Sequence, residues 1–146
     1  MANNPYYDSL WVIIGAPLMV LAINTFIVIL MGVDKYDQLG IDHVVHLIGG
    51  AGVAMSTAGL LLRLSRRGLI QLVDVNLFRL TVLGILSLVI IGWEIFEYLL
   101  FVFDLFSHWF GENIYTDTVV DMICGLLGGA VVMLTLDKCQ TKSCER

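Results

Sequence analysis

Residues 81–103 read TVLGILSLVIIGWEIFEYLLFVF, an apolar run without lysine or arginine that carries two glutamates, Glu94 and Glu97. About 20 apolar residues in helical form cross the hydrocarbon core of a bilayer. The run is long enough to span, and the glutamates sit inside it rather than at its edge. Three further stretches qualify in the same way, at residues 10–31, 41–62 and 116–136. The expected fold is therefore all-α, a polytopic bundle of four transmembrane helices forming one membrane domain over residues 1–146. A tail over residues 137–146 follows the last span.

Composition points the same way. Hydrophobic residues make up 58% of the chain and charged residues 14%, with a mean hydropathy of +0.87. Soluble domains carry about 25% charged residues, and a soluble globule of this size has no interior large enough to hide so much apolar surface. The lipid bilayer is the expected solvent and the first partner. No basic run or basic helix is present for nucleic acid. The opening MANNPYYDSL has no positive residue of the kind that begins a secretory signal, so the first apolar stretch is expected to stay as a helix. Pro17 and Asn24 within it require neighbouring helices to satisfy the freed backbone and the amide. The three cysteines, Cys124 in the last span and Cys139 and Cys144 in the tail, make no disulfide framework and are expected to stay reduced.

Orientation follows from the basic residues. Arg63, Arg66, Arg67 and Arg79 lie between the second and third spans, and Lys138, Lys142 and Arg146 follow the fourth; only Lys35 falls on the other side. The positive-inside rule places the seven in the cytoplasm, with both termini. The opposite loops hold Asp34, Asp37, Asp104, His108 and Glu112, with Trp109, Phe110 and Tyr115 suited to an interfacial belt. The segment LIQLVDVNLFRL, residues 69–80, reads either as a short amphipathic helix on the membrane surface or as the first turns of the third span. Small residues in HLIGGAGVAMSTAG (46–59) and CGLLGGA (124–130) let the second and fourth helices approach closely, with Gly125 and Gly129 four residues apart.

The ionisable residues inside the spans are the functional signal, because each costs about 2.5–3.5 kcal/mol to insert. The second span begins IDHVVHLIGG and gives Asp42, His43 and His46; the third gives Glu94 and Glu97; the fourth begins TDTVVDMICG and gives Asp117 and Asp121. Asp42 and His46 are four apart, as are Asp117 and Asp121, while Glu94 and Glu97 are three apart, as are His43 and His46. Each pair therefore shares a helix face. At about 1.5 Å per residue, His46, Asp121 and Glu97 lie roughly 7–9 Å below the outer boundary, with Glu94 deeper. His46, Glu94, Glu97 and Asp121 form the expected core of one cluster, Asp42 and Asp117 its rim. Taken alone, Asp42 or Asp117 reads equally well as a helix cap, and His43 is expected to turn toward the headgroups. Carboxylates this close in a low dielectric need protons or a cation to balance them. Carboxylates and imidazoles from three helices suit a divalent metal ion, zinc, manganese, iron or magnesium, or two such ions. A hydrogen-bonded polar network without metal is the competing reading.

The motifs D-x3-H with Gly49, E-x2-E before Tyr98, and D-x3-D-M before the glycines of 125–129 occur here in order. In this they resemble a group of small bacterial inner-membrane proteins, the YjdF-type family, related to the VanZ-like proteins. The likeness runs over residues 42–130 and implies a polytopic inner-membrane protein with a shared acidic site. The family's Gly-Asp-x-Trp run is missing before Asp117, and His43 is extra. The VanZ-like link implies a setting in the cell envelope. The D-x3-D-M helix also resembles that of the small membrane-embedded diacylglycerol kinases, whose Asn- and Glu-rich helix this chain lacks.

Three functions fit these residues. One is a membrane metalloprotein acting on a lipid or lipid-linked substrate, with Glu94 or Glu97 as base where it is not a ligand. The second is a proton- or ion-transport component, which in a chain this small requires a homo-oligomer. The third is a subunit of a larger membrane complex whose cluster is structural. The residues leave open whether the protein is an enzyme.

Overall fold

The computed structural model describes residues 9–71, 74–103 and 114–144. It is helical throughout those residues, without strands. A π-turn over Trp11–Gly15 leads into α1 (Ala16–Met31), followed by α2 (Val33–Gln38), α3 (Ile41–Arg66), α4 (Val75–Val102) and α5 (Ile114–Cys144). Four spans are long and apolar enough to cross a membrane: Trp11–Met31, Ile41–Arg66, Val75–Val102 and Asp117–Thr135. The expected four-helix membrane bundle is the observed architecture. Asp104, His108, Trp109, Phe110, Glu112 and Arg146 lie outside the described residues, as do the side chains of Asp34, Asp37, Tyr115, Lys138, Cys139, Lys142 and Cys144.

The first span shows how a proline is tolerated in lipid. Pro17 has no N–H to give to the carbonyl four residues earlier, that of Ile13. The backbone widens there into the π-turn, and the Ser56 hydroxyl of α3 donates to the Ile13 carbonyl instead. Ala16 and Val20 of α1 lie against Gly52 and Gly49 of α3, so the two helices run antiparallel. The helix stops at Gly32, whose φ of 75° closes it with a backbone bond to Val28. The connection that follows is not a plain loop: it folds into α2, and Gly40, at φ 62°, starts α3.

Of the two readings of residues 69–80, the structure has the first turns of the third span. That span begins at Val75 because the Asp74 side chain accepts the Asn76 N–H at 3.1 Å and caps the helix. Residues 75–80 are thus its first turns, and Phe78 is already core. The last helix continues through the expected tail to Cys144.

The core gathers Ala54, Ala58 and Leu61 of α3, Phe78, Val82, Leu86 and Ile90 of α4, and Val132 and Met133 of α5. On α4 the buried residues recur every fourth position, and the stripe ends on Glu94. Helices α3 and α5 run parallel and closer than any other pair in the bundle. A Cβ on Gly50 would strike the Gly125 carbonyl, and one on Gly128 the Leu47 carbonyl. Only glycine fits where two backbones touch. Gly129 is also filled in, by the Leu86 side chain. The bundle has an acidic end, where α3 and α5 begin and α4 finishes, and a basic end holding Arg63, Arg66, Arg67 and Arg79.

Candidate metal centre

All seven ionisable residues read from the spans meet at the acidic end. Asp42, His43 and His46 come from the first turns of α3, Glu94 and Glu97 from the last turns of α4, and Asp117 and Asp121 from the start of α5. Their donor atoms form three overlapping sets, each lying within 4.8 Å: Asp42–His46–Asp121, His43–Asp117–Asp121 and His46–Glu94–Glu97.

His46 is the hub. Its Nε2 lies 3.6 Å from Asp42 Oδ1 and 3.9 Å from Asp121 Oδ2, and its Nδ1 lies 3.7 Å from Glu94 Oε1. These separations are too long for hydrogen bonds, which close at about 2.7–3.2 Å. Two ligand atoms held about 2.1 Å from a tetrahedral ion stand roughly 3.4 Å apart. The Nδ1–Glu94 separation is nearer to that of shared ligands than to that of bonded partners.

Glu94 makes the same point from its burial. It is 6% exposed, and its Oε1 has no hydrogen-bond partner. The buried stripe on α4 carries it inward, and Thr118 of α5 hydrogen-bonds its carboxyl, leaving Oε1 without a partner. A buried, unpartnered carboxylate oxygen is expensive unless a cation or a proton joins it. Asp121, at 3% exposure, is buried as deeply but is satisfied: His43 Nδ1 lies 2.8 Å from its Oδ1. When Asp121 is ionised it has only lone pairs to offer, and the ring then carries its hydrogen on Nδ1 and donates.

That bond draws His43 into the cluster, because the parallel start of α5 brings Asp121 to the same level, while its side chain stays 38% exposed. Asp42 belongs to the cluster as well: it is half-buried and faces His46. Asp117 is the most exposed of the set, at its edge.

Tyr36 is a participant that the sequence reading missed. Its hydroxyl lies 2.5 Å from Asn24 Oδ1 and 3.0 Å from Asp42 Oδ1, and the residue is 4% exposed. One hydroxyl proton serves only one of two acceptors. Turning the Asn24 amide end for end resolves this, since the amide then donates to the tyrosine oxygen and the tyrosine donates to Asp42. A chain of contacts thus runs from Asn24 of α1 through α2 to Asp42 and His46. Tyr36 sits in a connection with no periodicity, so only its place six residues before Asp42 hinted at it.

A family model described as predicted membrane protein (DUF2238) matches residues 7–142. No curated protein and no solved structure matches the chain. The match is to a membrane-protein family, as the resemblance implied, and carries neither the YjdF-type nor the VanZ-like name.

Proposed function

The chain belongs to the DUF2238 family of predicted membrane proteins, and from that premise we propose that it is a membrane metalloprotein holding a divalent cation on His46, Glu94 and Glu97. The observation that carries this is the unpartnered, buried Oε1 of Glu94, 3.7 Å from His46 Nδ1. With Nδ1 given to the ion, the opposite nitrogen keeps its hydrogen and points between Asp42 and Asp121. A hydrogen bond from there to either carboxylate, the usual way of orienting a ligating imidazole, needs the gaps of 3.6 and 3.9 Å to close. Tyr36 then fixes Asp42, and His43 fixes Asp121, so six of the seven residues have a role around one ion.

Three protein ligands leave a coordination position open, the pattern of reactive rather than purely structural sites. A cation there would polarise a bound carbonyl or phosphoryl oxygen or activate water. Imidazole with two carboxylates suits zinc, iron or manganese better than soft ions. The basic end of the bundle favours the cytoplasm, so the centre faces the extracytoplasmic side of an inner membrane, both termini being cytoplasmic.

Transport through one chain has less support. Among the described residues the buried polar side chains are Thr57, Glu94 and Asp121, and below the cluster the bundle is closed by the apolar core. Elemental analysis of protein purified in detergent tests the reading. About one divalent transition metal per chain is expected, lost in Glu97→Ala, Asp121→Ala. Metal-free protein whose melting is unmoved by zinc, manganese or iron overturns it.

A further inference from the structure

α1 packs against α3, as does α4, and between α1 and α4 runs a groove of about 290 Å³ floored by α3. Its walls are residues 17–24 of α1, 45–53 of α3 and 89–97 of α4. Each stretch rises about 10–12 Å, so the groove lies along the helices, parallel to the lipid chains of a surrounding bilayer. Its two ends differ in chemistry. Asn24, His46, Glu94 and Glu97 line the acidic end, and the remainder is almost wholly apolar. The wall residues Leu18 and Leu21 on α1 and Val89 and Trp93 on α4 are 58%, 46%, 45% and 38% exposed, so the groove opens sideways.

We propose that this groove holds the hydrocarbon chain of a membrane lipid, entered laterally from the bilayer, with an oxygen at the lipid's head end reaching the His46–Glu94–Glu97 centre. The head-end contact rests on the cation reading above; the chain site does not. The lining selects the occupant. Apolar walls about 12 Å long that open sideways to the bilayer suit a chain of methylenes lying along the helices. Charge selects the polar end. Two bare carboxylates repel lipid phosphate, whereas a divalent ion neutralises them and offers its open position to oxygen. The floor is kept low by Gly49, where a Cβ would meet only Val20 Cγ1, at 3.9 Å. Position 49 therefore accepts a side chain without backbone collision, and a larger one fills the groove.

The test uses the full chain in vesicles of phosphatidylethanolamine and phosphatidylglycerol containing a trace of phosphatidylcholine with a diazirine at one acyl-chain end. After photolysis, labelling of Pro17, Val53 and Val89 is expected to exceed several-fold that of the outward-facing Leu88 and Leu134. Gly49→Leu, and independently Val89→Trp on the exposed wall, should abolish the excess. Equal labelling of groove and outer face, or an excess that survives both plugs, overturns the proposal. So does cross-linking of Val89 to a second copy of the chain in place of lipid. Manganese binding, read by electron paramagnetic resonance on the same samples, separates the two claims. Gly49→Leu should lose lipid labelling and keep manganese. Labelled wild type that binds no manganese overturns the cation and the head-end contact while the chain site stands.

Discussion

Glu94 separates a cation centre from a structural polar network by the sign of one substitution. In a hydrogen-bonded network, replacing a buried carboxylate removes partners and destabilises the protein under all conditions. Where the carboxylate is short of partners without an ion, an apolar residue of similar volume is neutral or stabilising. Glu94→Met should therefore raise the stability of chelator-treated protein, by about 1–3 kcal/mol, and abolish the stabilisation that added metal gives to the wild type. Thermal unfolding with chelator and with manganese checks both halves; destabilisation in chelator would instead identify a network. The position of Glu94 was legible in the sequence because face and depth are local quantities, fixed by spacing and by rise per residue. Its unpartnered Oε1 was not, since that depends on which groups α3 and α5 present to it. The choice between cluster and headgroups for His43 was open for the same reason: its partner, Asp121, lies 78 residues away.

The elements are held by backbone needs as much as by side-chain packing. Between α3 and α5, a Cβ on Gly50 or Gly128 would stand on a carbonyl of the other helix, and one on Gly125 would press on Ile90 of α4. The sequence pointed to Gly125 and Gly129, but the partner of Leu47 is Gly128, because the approach follows the crossing of two particular helices and not the four-residue spacing alone. The boundary of α4 was open in the sequence because residues 69–80 mix apolar and polar positions. The Asp74 cap and the burial of Phe78 decide it. Between α1 and α3 the link is Ser56 to the Ile13 carbonyl that Pro17 leaves free. Ser56→Ala should destabilise the protein by about 0.6–1.7 kcal/mol, the range for polar contacts between membrane helices. In a Pro17→Ala background the N–H at position 17 returns to Ile13, and the same substitution should cost almost nothing. A double-mutant cycle of unfolding measurements reads the difference directly. Equal effects in both backgrounds would mean that the serine acts through packing alone.

At the scale of the molecule, the separation of charge decides which water the centre meets. Arg63, Arg66, Arg67 and Arg79 gather at one end and the carboxylates at the other, so orientation by basic residues and access to the site are one question. If the positive-inside rule governs this chain, the cluster draws its ion from the extracytoplasmic side and a lipid in the groove comes from that leaflet. Leu39, 64% exposed between α2 and α3, marks the acidic end, and Leu69, 67% exposed after α3, marks the basic end. With Cys124, Cys139 and Cys144 replaced by serine, Leu39→Cys in intact spheroplasts should react with a membrane-impermeant maleimide. Leu69→Cys should react only once the membrane is permeabilised. Neither substitution removes a charge, so neither alters the signal that sets the orientation. The reverse pattern would turn the centre toward the cytoplasm, and with it the leaflet from which the groove is filled. Labelling of both sites in intact spheroplasts would mean that the chain inserts in two orientations, which a bundle with its charges so divided should not do.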